Sequence, residues 1–182
     1  MVAPWPGVCH ADRVASRRPV RLAACDYHGI HAYFLTICTE RRRFVFVSAA
    51  TGRAARDALL RTAAAYRFAV VAYCFMPDHL HVLVEGLAPD SDFRKFVAMY
   101  KQRSGFEHRR MHGQKLWQEG YFERILRSDE GLLPVVAYIL GNPVRAALCE
   151  VASAYWLLGS DRYPVEALAE AVQIAPAWKP RA

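Results

Sequence analysis

Tyr73-Cys74-Phe75-Met76-Pro77-Asp78-His79-Leu80-His81-Val82-Leu83-Val84-Glu85 reads as an apolar strand, a short turn and a second apolar strand. Side chains alternate across a strand, so His79 and His81 share one face while Leu80 and Val82 share the other. Two imidazoles on a stiff element suit a divalent metal, because little ordering entropy remains to be lost on binding. The competing reading is a strand whose exposed face happens to carry histidine, since His-x-His is a short pattern.

Working outward, an aromatic and β-branched run, Ile30 to Thr39, predicts a strand. It ends in the basic cluster Glu40-Arg41-Arg42-Arg43. Ala55, Leu59, Ala63 and Tyr66 recur at helical spacing within Ala49 to Tyr66. After the hairpin, Phe93, Phe96, Val97 and Tyr100 mark a second helix, with Ser91 or Asp90 as N-cap and Gly113 as its stop. Leu116 to Leu126 reads as a fourth strand bent at Gly120. Ser128-Asp129-Glu130 caps a third helix with Pro134 in its first turn. Asn142-Pro143 is expected to end it, because a residue before proline is pushed out of the α region. Val165 to Val172 is a short helix and Pro176 to Pro180 a loose tail.

The order β-α-β-β-α-β plus a helix predicts an α+β, ferredoxin-like antiparallel sheet with an additional C-terminal tyrosine-bearing helix. Residues 27–150 form the expected core domain, between a basic arm over 1–26 and an extension over 151–182. The first and third strands are then central neighbours, with two long helices behind them. The helix from Leu132 to Asn142 is the only spare element to cover the histidine face. It carries Tyr138 and Asn142 four residues apart, on one side of the helix. Where that side meets the histidines, a phenol and an amide oxygen arrive beside a candidate metal, Mg²⁺ or Mn²⁺. A tyrosine is a poor nucleophile at pH 7, but attack on a polarised phosphodiester gives a covalent phosphotyrosine that preserves the broken bond's energy. The alternatives are a core aromatic at Tyr138 and a helix-terminal residue at Asn142.

The totals fit this reading. Lys plus Arg number 24 against 17 Asp plus Glu, a net +7 that favours a polyanionic partner, nucleic acid first. Five scattered cysteines without a C-x-x-C pair argue against a thiolate zinc site or a disulfide framework and point to a cytoplasmic protein. No apolar run is long enough for a membrane span, and no signal peptide is expected. Arg41, Arg42, Arg43, Arg94, Lys95, Lys101, Arg103, Arg109 and Arg110 are candidate phosphate contacts, each with solvated surface as its alternative. Trp117, Tyr121 and Phe122 are either base-stacking residues or core.

The Phe75 to Glu85 block resembles the histidine motif of the single-tyrosine transposases of the IS200-like superfamily. Leu116-Trp117-Gln118-Glu119-Gly120-Tyr121-Phe122-Glu123 and Tyr138-Ile139-Leu140-Gly141-Asn142-Pro143-Val144-Arg145-Ala146 resemble its REP-associated subgroup. Tyr33 to Thr39 is similar to that family's first strand. The resemblance implies His79 and His81 as metal ligands, with Asn142 as a polar third. It implies Tyr138 as the nucleophile on single-stranded DNA near hairpins, leaving a 5′-phosphotyrosine and a free 3′-hydroxyl. It leaves monomer or homodimer open, with the tyrosine serving its own chain or its partner's. A related replication initiator or relaxase, or a non-catalytic DNA- or RNA-binding protein, are the rival readings.

Overall fold

A computed structural model describes residues 27–127 and 130–180. The basic arm over 1–26, Ser128 and Asp129 lie outside the described residues. The chain runs β1 (Ala32–Cys38), a 3-10 turn (Glu40–Arg42), α1 (Ala49–Ala65), β2 (Phe68–Met76), β3 (His79–Gly86), α2 (Phe93–His112), β4 (Phe122–Ile125), α3 (Leu133–Arg145), β5 (Leu158–Gly159) and α4 (Val165–Ala171). The five strands form one antiparallel sheet in the order β4-β1-β3-β2-β5. The first four follow the expected ferredoxin-like order, with β1 and β3 paired at its centre.

Alternation divides the core into two layers. Tyr33, Leu35 and Ile37 of β1 and Leu80, Val82 and Val84 of β3 pack under α1 and α2. Phe34 of β1 and Leu83 of β3 face the other way, under α3 and α4. Every residue of β3 but Glu85 is buried, as a strand covered on both faces must be. Leu80 and Val82 hold the α1–α2 layer, so His79 and His81 are forced to the α3 side. Trp117 belongs to the core beneath α2, where its indole N–H donates to Ser104 Oγ at 2.9 Å.

Several boundaries differ from the sequence reading. The N-cap of α2 is Asp92, whose carboxylate accepts from the Lys95 amide at 3.0 Å. Ser91 is instead used on the Arg67 carbonyl and Asp90 on the Arg67 guanidinium. The expected stop holds: Gly113 ends α2 at φ 68°, the left-handed conformation that glycine favours. The fourth strand is only four residues long and starts after Gly120, which turns at φ 72°. The first residue of α3 is Leu133, with Leu132 at the cap, while Glu130 folds back onto Arg124 and the Arg127 amide.

Most consequential, α3 does not stop at Asn142-Pro143 but continues through the proline to Arg145. Pro143 removes one helical N–H. The turn survives because Ile139, Leu140 and Pro143 are buried against the sheet. The Asn142 amide and the Arg145 guanidinium both donate to the Tyr138 carbonyl at 2.9 Å. The 3-10 bond from Ala147 and bonds from Ala146 and Leu148 close the end.

Beyond α3 the chain adds β5 to the free edge of β2. Nor is the tail loose at Trp178, whose ring packs on Phe34 and Tyr138 with centroids 5.0 and 5.3 Å away. The histidine face is thus covered by α3, α4 and Trp178 together, rather than by α3 alone. Among the described residues no helix is long and apolar enough to cross a membrane.

Two consequences can be measured. Phe93 is fully buried and stacks on Tyr33 at 4.0 Å. Phe93→Ala should cost about 3–5 kcal/mol in urea unfolding; an unchanged midpoint would contradict this packing. His108 is buried with neither ring nitrogen partnered among the described residues. Burial, then His112 and Arg43, push it from 6.5 down to about 4. Between those values the unfolded chain binds a proton that the folded chain refuses, so stability falls as pH falls through this window. His108→Leu should flatten that slope, and an equal slope in both proteins would sink the assignment.

Candidate active site

The site begins with register. β1 and β3 pair Thr36 with His81 and Cys38 with His79, so a threonine hydroxyl lies beside one imidazole. Thr36 Oγ1 is 2.9 Å from His81 Nδ1. The turn before β3 supplies the partner for the other: Asp78 Oδ1 is 2.5 Å from His79 Nδ1. With both Nδ1 atoms held from outside, the two Nε2 atoms face each other 3.0 Å apart. A second nitrogen fixed by an outer partner is the arrangement that orients metal-binding imidazoles.

Asp78 is itself anchored. Its second oxygen pairs with Arg42 Nε at 2.9 Å, while Arg42 Nη1 donates to Cys38 Sγ at 2.7 Å. Arg41 and Arg42 both adopt φ 55°, a left-handed conformation costly for residues with a Cβ. That backbone swings the Arg42 guanidinium back onto the turn. Burial raises the Asp78 carboxyl, but the His79 hydrogen bond, His79's charge and Arg42 outweigh it and hold the group below the usual carboxylate range. Burial first, then His79, Arg145 and Arg42, push His81 well below its ordinary value. His81 is therefore a neutral ring with a lone pair at neutral pH.

From the opposite side, α3 delivers Tyr138. Its ring lies 5.4 Å from the His81 ring and 5.7 Å from Phe34, all within one chain. Asn142 is buried one turn later on the same helix, its amide nitrogen turned onto the Tyr138 carbonyl. That orientation leaves Oδ1 as the atom available to accept or ligate.

The basic candidates divide. Arg42 joins the histidines through Asp78. Arg43 is engaged by Gln114 and by the Lys115 carbonyl at 2.6 Å, and Arg41 is exposed. Arg94, Lys95, Lys101, Arg103, Arg109 and Arg110 all lie on α2, which covers the sheet face away from the histidines. Arg94, Arg103, Arg109 and Arg110 are exposed, Arg94 with its guanidinium 4.2 Å over the Tyr27 ring. Lys95 pairs with Asp92 at 3.5 Å. Lys101 donates to the Gln118 and Gly120 carbonyls at 3.0 and 2.7 Å, and burial ahead of Lys115 pushes it down to about 8. Sequence reasoning did not single out Thr36, Asp78, Arg145 or Trp178. The available signals were the Asp-His neighbours in the turn and an arginine two helical turns after the tyrosine.

A family model described as "Transposase IS200 like" matches residues 27–142, a span from before β1 to Asn142. The chain belongs to the IS200-like transposase family. A Haemophilus influenzae protein classed as a REP-associated tyrosine transposase is 28% identical over 130 residues, covering 65% of this chain and 73% of that one. A solved structure of a REP-associated tyrosine transposase bound to a REP hairpin shares the fold. Its TM-score is 0.61 at 20% identity, over 74% of this chain and 79% of that one. In this IS200-like chain the histidine pair, Tyr138 and Asn142 all fall inside the family match, whereas Arg145 and Trp178 lie past its end.

The outer hold on His79 is open to test by Asp78→Asn. The chain should stay folded while the ¹⁵N shifts of the His79 ring move as its Nδ1 proton loses a charged acceptor. An identical ¹⁵N pattern would show that Asp78 does not set the ring.

Proposed function

We propose that this IS200-like protein cleaves and rejoins single-stranded DNA beside hairpins of the REP-like palindromic kind, through a 5′-phosphotyrosine on Tyr138. The observation that carries the reading is the meeting, in one chain, of a phenol ring with a pair of inward-facing imidazoles. Family membership supports a transposase, and the hairpin-bound structural neighbour supports hairpin DNA as the partner class.

The residues fit a divalent ion, Mg²⁺ or Mn²⁺. The two Nε2 atoms face each other 3.0 Å apart with their outer nitrogens held, the imidazole donors a divalent ion would take. Among the described residues no group of three or more His, Cys, Asp or Glu converges. His79, His81 and the Asn142 oxygen would hold the ion. When bound, the ion supplies Lewis-acid polarisation of the phosphodiester.

The chain's own groups do the rest. β3 fixes the imidazoles, and Asp78 and Thr36 keep their lone pairs turned inward. α3 sets the phenol over His81. Attack by the Tyr138 oxygen forms an O–P bond and breaks the P–O3′ bond. The phenol proton passes to solvent, and the departing 3′-oxygen takes up a proton. Attack by another 3′-hydroxyl reverses the step and rejoins strands without an external energy source.

Labelled hairpin DNA with a single-stranded flank, incubated with Mn²⁺ or Mg²⁺, should give a covalent protein–DNA band on a denaturing gel. Tyr138→Phe should lose that band and keep hairpin affinity within about threefold; an adduct from Tyr138→Phe would refute the nucleophile. Asp78→Asn should weaken Mn²⁺ binding by about 10–100-fold in calorimetry, and equal affinity would count against the inner pair as the metal site.

A further inference from the structure

Gly141 is an odd residue for the inside of a helix, where glycine is the poorest former after proline. The structure gives it a reason. A Cβ built there would collide with Arg145 Nη1 and come within 3.4 Å of its Cζ, so the missing side chain is a seat for a guanidinium. Because α3 runs through Pro143, Arg145 falls two turns after Tyr138 and folds back along the helix. Nη2 donates to the Tyr138 carbonyl at 2.9 Å, and Cζ lies 5.0 Å from the centre of the Tyr138 ring.

Arg42 and Arg124 on the same side of the sheet have Asp78 and Glu130. Among the described residues no carboxylate pairs with Arg145. One of its five N–H donors is used on a backbone carbonyl, and the residue is exposed. A planar fork with spare donors, parked against a phenol, matches a tetrahedral phosphate that must lie beside that phenol.

We propose that Arg145, seated by Gly141, grips the non-bridging oxygens of the DNA phosphate that Tyr138 attacks, and so is a catalytic residue of this site. This rests on the strand-cleavage reading above. In the step, the Tyr138 O–P bond forms as the P–O3′ bond breaks, and negative charge builds on the oxygens that Arg145 faces. The guanidinium stays protonated throughout and exchanges no proton. Gly141 is a positioning residue that acts only through the place it leaves for Arg145.

The test compares wild type with Arg145→Ala, Arg145→Lys and Gly141→Ala. Three quantities are read: the single-turnover rate of adduct formation on saturating hairpin DNA with Mn²⁺, hairpin affinity by anisotropy, and melting temperature. Arg145→Ala should slow the adduct by about 10²–10³-fold, with affinity within about threefold because one phosphate among many is lost. Arg145→Lys should recover part of the rate, having the charge without the fork. Gly141→Ala decides between catalytic and structural roles. Alanine is the better helix former, so its melting temperature should hold or rise while the rate falls at least about tenfold. A wild-type adduct with Gly141→Ala or Arg145→Ala reacting at the wild-type rate overturns the inference and leaves the function standing. A wild type that forms no adduct overturns both.

Discussion

The constraint on which this molecule turns is the 3.0 Å approach of two imidazole nitrogens. Sharing a strand face does not by itself set that geometry, since each ring can still rotate about its side-chain torsions. What holds it is outside the pair. Thr36 takes one outer nitrogen because β1 and β3 are in a register that places it there, and Asp78 takes the other because the hairpin turn ends one residue before His79. A one-residue slip of β3 would send both histidines to the α1–α2 face. The buried run of Leu80, Val82 and Val84 against those helices is what forbids the slip. Hydrophobic pattern thus fixes which face carries the imidazoles.

The two sides of the sheet have separate tasks. On one, α1 and α2 bury a dense aromatic layer of Tyr33, Phe68, Phe93 and Phe96, which makes the central strands a rigid platform. The other carries the ring cluster of Phe34, His81, Tyr138 and Trp178. In the proposed reaction a poorly anchored phenol would lose most of its advantage, since productive geometry tolerates about half an ångström. Here the tyrosine is fixed by a helix seated on β2, not by a loop.

Much of the fold was legible because period and burial agree. Alternation through Tyr73 to Glu85 defines the hairpin and its faces, and the aromatic spacing of Phe93 to Tyr100 defines α2. The proline at 143 misled, because the rule for residues before proline is local. The Asn142 and Arg145 donors and the buried apolar side of α3 override it. β5 was missed because two residues carry no periodicity. The convergence of His79, His81 and Tyr138 followed from topology once strand order was assumed. The role of Arg42 did not: a run of three arginines gives no hint that one reverses onto Asp78 through a left-handed backbone. The basic residues of α2 likewise look like one patch in sequence, and only the layer order shows that they sit across the sheet from the histidines.

The central claim is that the phenol of Tyr138 and the imidazoles of its own chain form one reacting centre. Mass-spectrometric mapping of the protein–DNA linkage, after protease digestion of a hairpin reaction, addresses it most directly. The account predicts a single phosphotyrosyl peptide whose modified residue is Tyr138. It also predicts that linkage in mixtures of Tyr138→Phe and His81→Ala chains is no higher than in either alone. Linkage at another tyrosine, or recovery of linkage in the mixture, would contradict it.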